Sequence, residues 1–268
     1  MSRLETTFQS NRTHHQAAFI SYLMAGDPDF EGSLQMARAC IEGGADVLEI
    51  GMPFSDPIAD GRTIQLASQR ALAGGTTVRT CLDLAAAVRK RSEIPIVLMG
   101  SYNPVMSFGP TVFLAACQQS GVDGTILPDL PPEEATEWCK LSAAHNVKTV
   151  FLLAPTSTAS RRQAVFAATT GFVYVISVTG VTGARSALPP DLVGRLESIR
   201  QASPVPVVVG FGISEPSQAS LLAAHADGLV VGSAIVSRIA EEVPLEARAR
   251  TVVEYVRLMK MACSLKVR

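Results

Sequence analysis

Val205 to Ile235 reads VPVVVGFGISEPSQASLLAAHADGLVVGSAI. An apolar run (Val205–Val209) is followed by a glycine-rich loop, a stretch long enough for a helix, a second apolar run (Gly228–Val231) and another glycine-rich loop at Gly232. Neither run alternates apolar with polar residues, so both suit parallel strands buried on both faces. The same unit recurs towards the N-terminus. Further runs lie at Phe19–Met24, Val47–Ile50, Ile96–Met99, Gly124–Leu127, Thr149–Leu153 and Phe172–Ile176, making eight strands in all. Helical stripes stand between them: Phe30, Leu34, Ala37 and Ile41, ending at Gly43-Gly44; Val78, Leu82, Ala85 and Val88; Ala135, Trp138 and Leu141, with Glu133 and Glu134 in the first turn; and Leu192, Leu196 and Ile199 after Pro189-Pro190. Arg62–Leu72 reads as an extra helix between strands 2 and 3, and Leu245–Met261 as a terminal one. Repeated strand–helix alternation means a parallel sheet covered by helices, and eight units point to a closed (β/α)8 TIM barrel with extra helices, an α/β fold. An open doubly wound sheet is the alternative.

A chain of 268 residues suits one such barrel, and no linker or low-complexity stretch divides it, so residues 1–268 are expected to form a single domain. With 47% hydrophobic residues and a net charge of −1, the chain has a large core and no cationic excess for nucleic acid. Cys40, Cys81, Cys117, Cys139 and Cys263 are scattered and form no C-x-x-C pair, which fits free thiols in a reducing, cytoplasmic setting. Ala17–Gly26 is too short and polar for a secretion signal, and no apolar run reaches the ~18 residues of a membrane span.

In a (β/α)8 barrel, chemistry sits on the loops that follow the strands. Gly210-Phe211-Gly212-Ile213-Ser214 follows strand 7, and Gly232-Ser233-Ala234-Ile235 follows strand 8. Val178-Thr179-Gly180-Val181-Thr182-Gly183 follows strand 6. Glycines let backbone N–H groups approach an anion, and a helix starting at Ser233 would aim its positive end at a phosphate. Strand 2, Asp46-Val47-Leu48-Glu49-Ile50-Gly51, carries a carboxylate where burial is costly and raises the pKa, with no basic residue at any strand end to pair with it. Glu49 is thus a candidate acid–base group. The loop after it, Met52 to Gly61, adds Asp56 and Asp60; Asp60-Gly61 is also an ordinary turn dipeptide, and spacing alone does not choose between the readings. Asp27 is expected to cap the helix after strand 1, Asn103-Pro104 and Asp129 read as turn residues that could also line the site, and Tyr174 lies within strand 6.

Histidines 14 and 15 precede the barrel, while His145 and His225 fall before strands 5 and 8, away from the mouth, so no metal site is expected. No strand ends in lysine, which disfavours a Schiff-base aldolase. No G-x-G-x-x-G follows the first strand. The residues themselves thus suggest metal-free carboxylate acid–base chemistry on a phosphate ester, with flavin or nicotinamide use left open.

Leu48–Gln65, LEIGMPFSDPIADGRTIQ, resembles the strand-2 and loop-2 signature of the tryptophan synthase α subunit. The resemblance extends through AGDPD near the N-terminus, YNPV (Tyr102–Val105), LPDLP (Leu127–Pro131), SVTGVTGARSALP (Ser177–Pro189), GFGIS (Gly210–Ser214) and GSAIV (Gly232–Val236), in the family's order and spacing. It implies retro-aldol cleavage of indole-3-glycerol phosphate to indole and glyceraldehyde 3-phosphate in tryptophan biosynthesis. It also implies Glu49 as the acid–base shuttle, Asp60 as the partner of the indole N–H, and Tyr174 packed beside the substrate. The phosphate would lie near Gly183, Gly212 and Gly232, assisted by Ser233, and Phe211, Leu127 and Met99 would wall the indole pocket. The implied partner is a β subunit carrying pyridoxal phosphate, in an α2β2 heterotetramer, met at Asp56 and Asn103; no cofactor is expected in this chain. Two departures are visible: Arg62 where many members have proline, and Ser101 where a larger tyrosine or threonine is common. The rivals are a non-cleaving regulatory α-like subunit, a stand-alone indole producer, or another phosphate-binding barrel isomerase or epimerase.

Overall fold

The computed structural model describes residues 1–56, 60–176, 192–210 and 212–264. Eight parallel strands close into a barrel in sequence order: β1 (Ala18–Met24), β2 (Val47–Gly51), β3 (Ile96–Met99), β4 (Gly124–Ile126), β5 (Lys148–Leu153), β6 (Val173–Ile176), β7 (Val207–Gly210) and β8 (Gly228–Val231), with β8 returning to β1. The closed alternative of the sequence reading therefore holds. The helices are α1 (Arg3–Thr13), α2 (Phe30–Glu42), α3 (Arg62–Ala73), α4 (Val78–Arg89), α5 (Tyr102–Phe108), α6 (Pro110–Ser120), α7 (Thr136–Ala144), α8 (Ala159–Ala168), α9 (Leu192–Ala202), α10 (Pro216–Ala223), α11 (Ser233–Ile239) and α12 (Leu245–Ala262). No helix among the described residues is long and apolar enough to cross a membrane.

The strands bury two layers. Ile20, Tyr22, Val47, Val97, Ile126, Val150, Tyr174, Val208 and Val230 fill the barrel, while the alternate residues, such as Phe19, Leu48, Ile50, Leu98 and Val209, pack outward against the helices. β7 starts at Val207 rather than Val205 because Pro206 has no N–H to give the ladder. Val207 N–H donates instead to Asp227 at 2.9 Å. Glu133 and Glu134 lie in a short 3₁₀ turn, Pro132–Glu134, ahead of α7 rather than in its first turn.

Two helices lie where none was expected. In α1, Ser2 and Glu5 form a capping box, and Leu4 and Phe8, one turn apart, plug the lower end of the barrel, where Phe8 meets Phe172 at 5.7 Å between ring centroids. In α5, Asn103-Pro104 is not a turn: Pro104 stands in the first helical turn after Ser101, where a missing N–H costs nothing.

The cap expected at Asp27 is supplied by Asp29, whose side chain accepts from Gly32 N–H at 2.7 Å, because Asp29 and not Asp27 stands immediately before the helix. Asp27 is buried, 2% exposed, and its two carboxylate oxygens accept from Arg70 Nε and Nη2 at 2.7 and 2.8 Å, tying the loop after β1 to α3. Arg70→Leu would leave that carboxylate buried and unpaired. With Arg70 itself 38% exposed, the expected loss is roughly 2–3 kcal/mol, below that for a fully buried pair, read as a lowered denaturation midpoint.

The thiols of Cys40, Cys81, Cys117 and Cys263 are buried and Cys139 half-buried, all unpaired. Burial pushes Cys40, Cys81 and Cys263 up to about 12, as expected of packing residues rather than nucleophiles.

Candidate active site

The strands end in two adjoining cavities at the C-terminal mouth of the barrel. One, of about 100 Å³, is walled by Tyr22, Glu49, Asp60, Ile64, Met99 and Tyr174 on one side, and by Gly210, Gly212, Ile213, Ser214, Val230, Gly232, Ser233 and Ala234 on the other. The second, of about 230 Å³, shares Tyr22, Asp60 and Met99 and continues past Met52, Phe54, Asp56, Gly100, Ser101, Pro128 and Asp129.

Glu49 enters this space because the register of β2 points it inward between Tyr22 of β1 and Val97 of β3, its direct partners in the sheet. It is 1% exposed, and its Oε2 has no hydrogen-bond partner among the described residues. Burial, and then the neighbouring Asp60 charge, push its pKa up to about 8. The carboxyl is therefore protonated at neutral pH yet within reach of losing its proton, as a group that must both give and take one requires. Burial also raises the Asp60 pKa.

Two phenols flank the carboxyls. Tyr22 and Tyr174 have pKa values raised well above the usual range, first by burial and then by the Asp60 and Glu49 charges, so both stay protonated and can donate. Each ring lies over a glycine: a Cβ on Gly51 would fall 2.2 Å from the Tyr22 hydroxyl, and one on Gly210 2.7 Å from the Tyr174 hydroxyl. Those two strand ends are glycine so that the phenols can lie over them.

The far wall is backbone. Gly212 has φ +66°, a left-handed conformation that only glycine adopts freely. Its loop is pinned by Tyr255, whose hydroxyl donates to Ser214 O at 2.9 Å, and by Gln218, which accepts from Ser214 and Glu215 N–H. Gly232, by contrast, has φ −113°, and a Cβ there would meet Tyr22 at an ordinary 3.5 Å. Neither backbone nor packing demands a glycine at that point, and its missing side chain leaves the cavity open. The helix expected at Ser233 is present as α11; in its first turn Ile235 and Val236 N–H donate to Gly232 O at 2.9 and 3.0 Å, while the N–H groups of Ser233 and Ala234 come too early for a partner in their own helix.

Of the sequence candidates, Glu49, Asp60, Tyr174, Met99, Gly212, Gly232 and Ser233 come together on one wall system. Leu127 does not: it is 5% exposed and packs in the outer layer, because its neighbour Ile126 takes the inward position at the end of β4. Phe211 and Gly183 lie outside the described residues. Asp56 and Asp129 line the second cavity, where Asp129 accepts from Tyr102 N–H at 2.8 and 3.0 Å. Tyr22 and Ile64 were missed. Tyr22 was legible in principle, since inward residues alternate along β1 from Ala18 through Ile20.

Taken together, the closed barrel carries two carboxyls opposite a glycine-lined wall at the C-terminal ends of its strands, where (β/α)8 enzymes place their chemistry. The family model for the tryptophan synthase alpha chain matches residues 8–264, and the chain belongs to that family. A tryptophan synthase alpha chain from Geobacter sulfurreducens is 50% identical over 236 residues, 88% of this chain and 89% of the relative. Mycobacterium tuberculosis tryptophan synthase superposes with a TM-score of 0.89 at 39% identity, covering 98% of this chain and 99% of that one. The alpha subunit of Legionella pneumophila str. Paris gives 0.90 at 33% identity, covering 98% of each chain.

Proposed function

We propose that this chain cleaves indole-3-glycerol phosphate into indole and glyceraldehyde 3-phosphate by a retro-aldol reaction, as one barrel domain working in the cytoplasm. The observation that carries the reading is Glu49, a buried carboxyl whose Oε2 has no hydrogen-bond partner among the described residues, held near pKa 8 on the same wall as Asp60. Protonated Glu49 delivers its proton to the ring carbon that bears the glycerol chain, and positive charge develops at the indole nitrogen. Asp60 accepts the N–H and stabilises that charge. The resulting Glu49 carboxylate then removes the proton from the adjacent hydroxyl. The oxygen electron pair becomes a carbonyl, the carbon–carbon bond breaks, and its electrons return to the ring. Glu49 ends as it began, so the proton count closes. Tyr174 and Met99 pack beside the ring, and Gly212, Gly232 and Ser233 receive the phosphate; Gly183 and Phe211 are the further contacts that the family resemblance implies.

The family reading also gives a β subunit carrying pyridoxal phosphate as the partner that receives indole, in an α2β2 assembly, with Asp56 and Asn103 at the contact. The test is indole release from indole-3-glycerol phosphate with and without a β subunit: turnover by the chain alone and stimulation on addition of the partner are expected, and no indole under either condition overturns the proposal. Asp60→Asn should lower turnover less than loss of Glu49 does, because an amide oxygen can still accept from the ring N–H. Normal turnover with altered partner affinity would make Asp60 a turn residue only.

A further inference from the structure

We infer that helix α3 clamps both ends of the loop after β2, and that Gln65 is a positioning residue for Asp60. The inference rests on the reading of Asp60 as the group that meets the indole nitrogen. Gln65 Nε2 donates to the Asp60 carbonyl oxygen at 2.8 Å, fixing the peptide on which the Asp60 side chain is carried. One turn further along, Ser68 holds the other end: its hydroxyl, 1% exposed, accepts from Phe54 N–H and donates to Phe54 O, both at 3.0 Å. The helix that bears these groups is itself fixed. Ile64, Ala67 and Ala71 pack into the barrel-mouth cluster with Tyr22 and Val236, and Arg70 is paired with buried Asp27.

Asp60 has to present its carboxylate to a ring nitrogen with hydrogen-bond accuracy, and side-chain direction follows the backbone angles of its residue. A misplacement of about 1 Å costs a reaction up to about 100-fold. A glutamine that grips the backbone carbonyl restrains those angles without adding charge beside a carboxylate that must accept a hydrogen bond.

The experiment is a double-mutant cycle between Gln65→Met and Asp60→Asn, read as kcat and KM for indole release, with thermal melting to verify folding. Gln65→Met keeps the length and removes the donor; Gln65→Leu, also uncharged and without a donor, serves if the first variant does not fold. Alone, Gln65→Met should lower kcat about 10-fold to 100-fold with KM within about two-fold. In the Asp60→Asn background the same change should cost little more, because Gln65 acts through Asp60. Wild-type kcat in Gln65→Met, or an undiminished loss in the Asp60→Asn background, overturns the positioning role. Wild-type kcat in Asp60→Asn alone overturns the reading of Asp60 instead, so the two failures are distinguishable.

Discussion

Glu49→Gln should slow indole release by roughly 10²–10⁴ or more while leaving substrate affinity within a few-fold. The amide has nearly the same shape and burial but can neither deliver a proton to the ring carbon nor remove one from the hydroxyl. A variant keeping more than about a tenth of wild-type turnover would remove Glu49 from the mechanism. In the wild type, the proton-donating form is lost as pH rises through about 8, so kcat/KM should fall on the alkaline side of that value. Stability responds to the same carboxyl, but below that value. The folded state holds the Glu49 proton to about pH 8, whereas the unfolded chain releases it near 4.5. Between those values the folded form binds more protons than the unfolded one, so wild-type stability falls as pH rises through the window and then levels. The glutamine variant lacks this contribution. It should melt at a higher temperature than wild type at pH 8, and the gap should close towards pH 4.5. Activity is thus obtained at a cost in stability, because a titrating carboxyl is kept in a site that would be more stable neutral.

Gly212→Val should raise KM for the phosphorylated substrate roughly 10-fold to 100-fold, the loss of one or two charge-assisted hydrogen bonds. A dephosphorylated analogue, already weakly bound, should hardly respond. Valine at φ +66° also strains the turn by about 1–3 kcal/mol, so thermal melting must accompany the kinetics. Gly232→Ala separates the two effects. Its φ is negative and its Cβ meets only an ordinary contact, so the fold should be nearly indifferent while phosphate-dependent binding weakens. If both variants fold and bind the phosphorylated substrate normally, the anion lies elsewhere.

The barrel was legible because strands buried on two faces read as unbroken apolar runs, and the errors fall where that signal is silent. Pro206 belongs to an apolar run but cannot donate to a ladder. Helix α1 carries few apolar residues, yet Ser2 with Glu5 and Leu4 with Phe8 write its cap and its buried stripe. Asn103-Pro104 reads as a turn by residue preference, but a proline in a first helical turn breaks no hydrogen bond. At the site, Glu49 stood out because a charge inside a buried strand needs a partner and no basic residue stands at a strand end to supply one. Tyr22 could not be found by that argument, since a tyrosine in a strand is unremarkable. Its signal is the alternation along β1 from Ala18 through Ile20, and the pairing with Glu49 across β1 and β2 then places it at the mouth. Leu127 shows the reverse error: being apolar near a strand end says nothing about which face a residue takes, and alternation from Ile126 sends it outward. The bond from Gln65 to the Asp60 carbonyl required a structure, because nothing in side-chain type predicts which backbone oxygen a glutamine will reach.

The measurement that bears most directly on the central claim is the product balance when the purified chain is given indole-3-glycerol phosphate alone. One indole and one glyceraldehyde 3-phosphate should appear for each substrate consumed, with Glu49→Gln producing both at the same much reduced rate. Substrate consumed without equimolar indole and aldehyde, or no consumption by the folded wild-type chain with or without a β subunit, would contradict retro-aldol cleavage at this site.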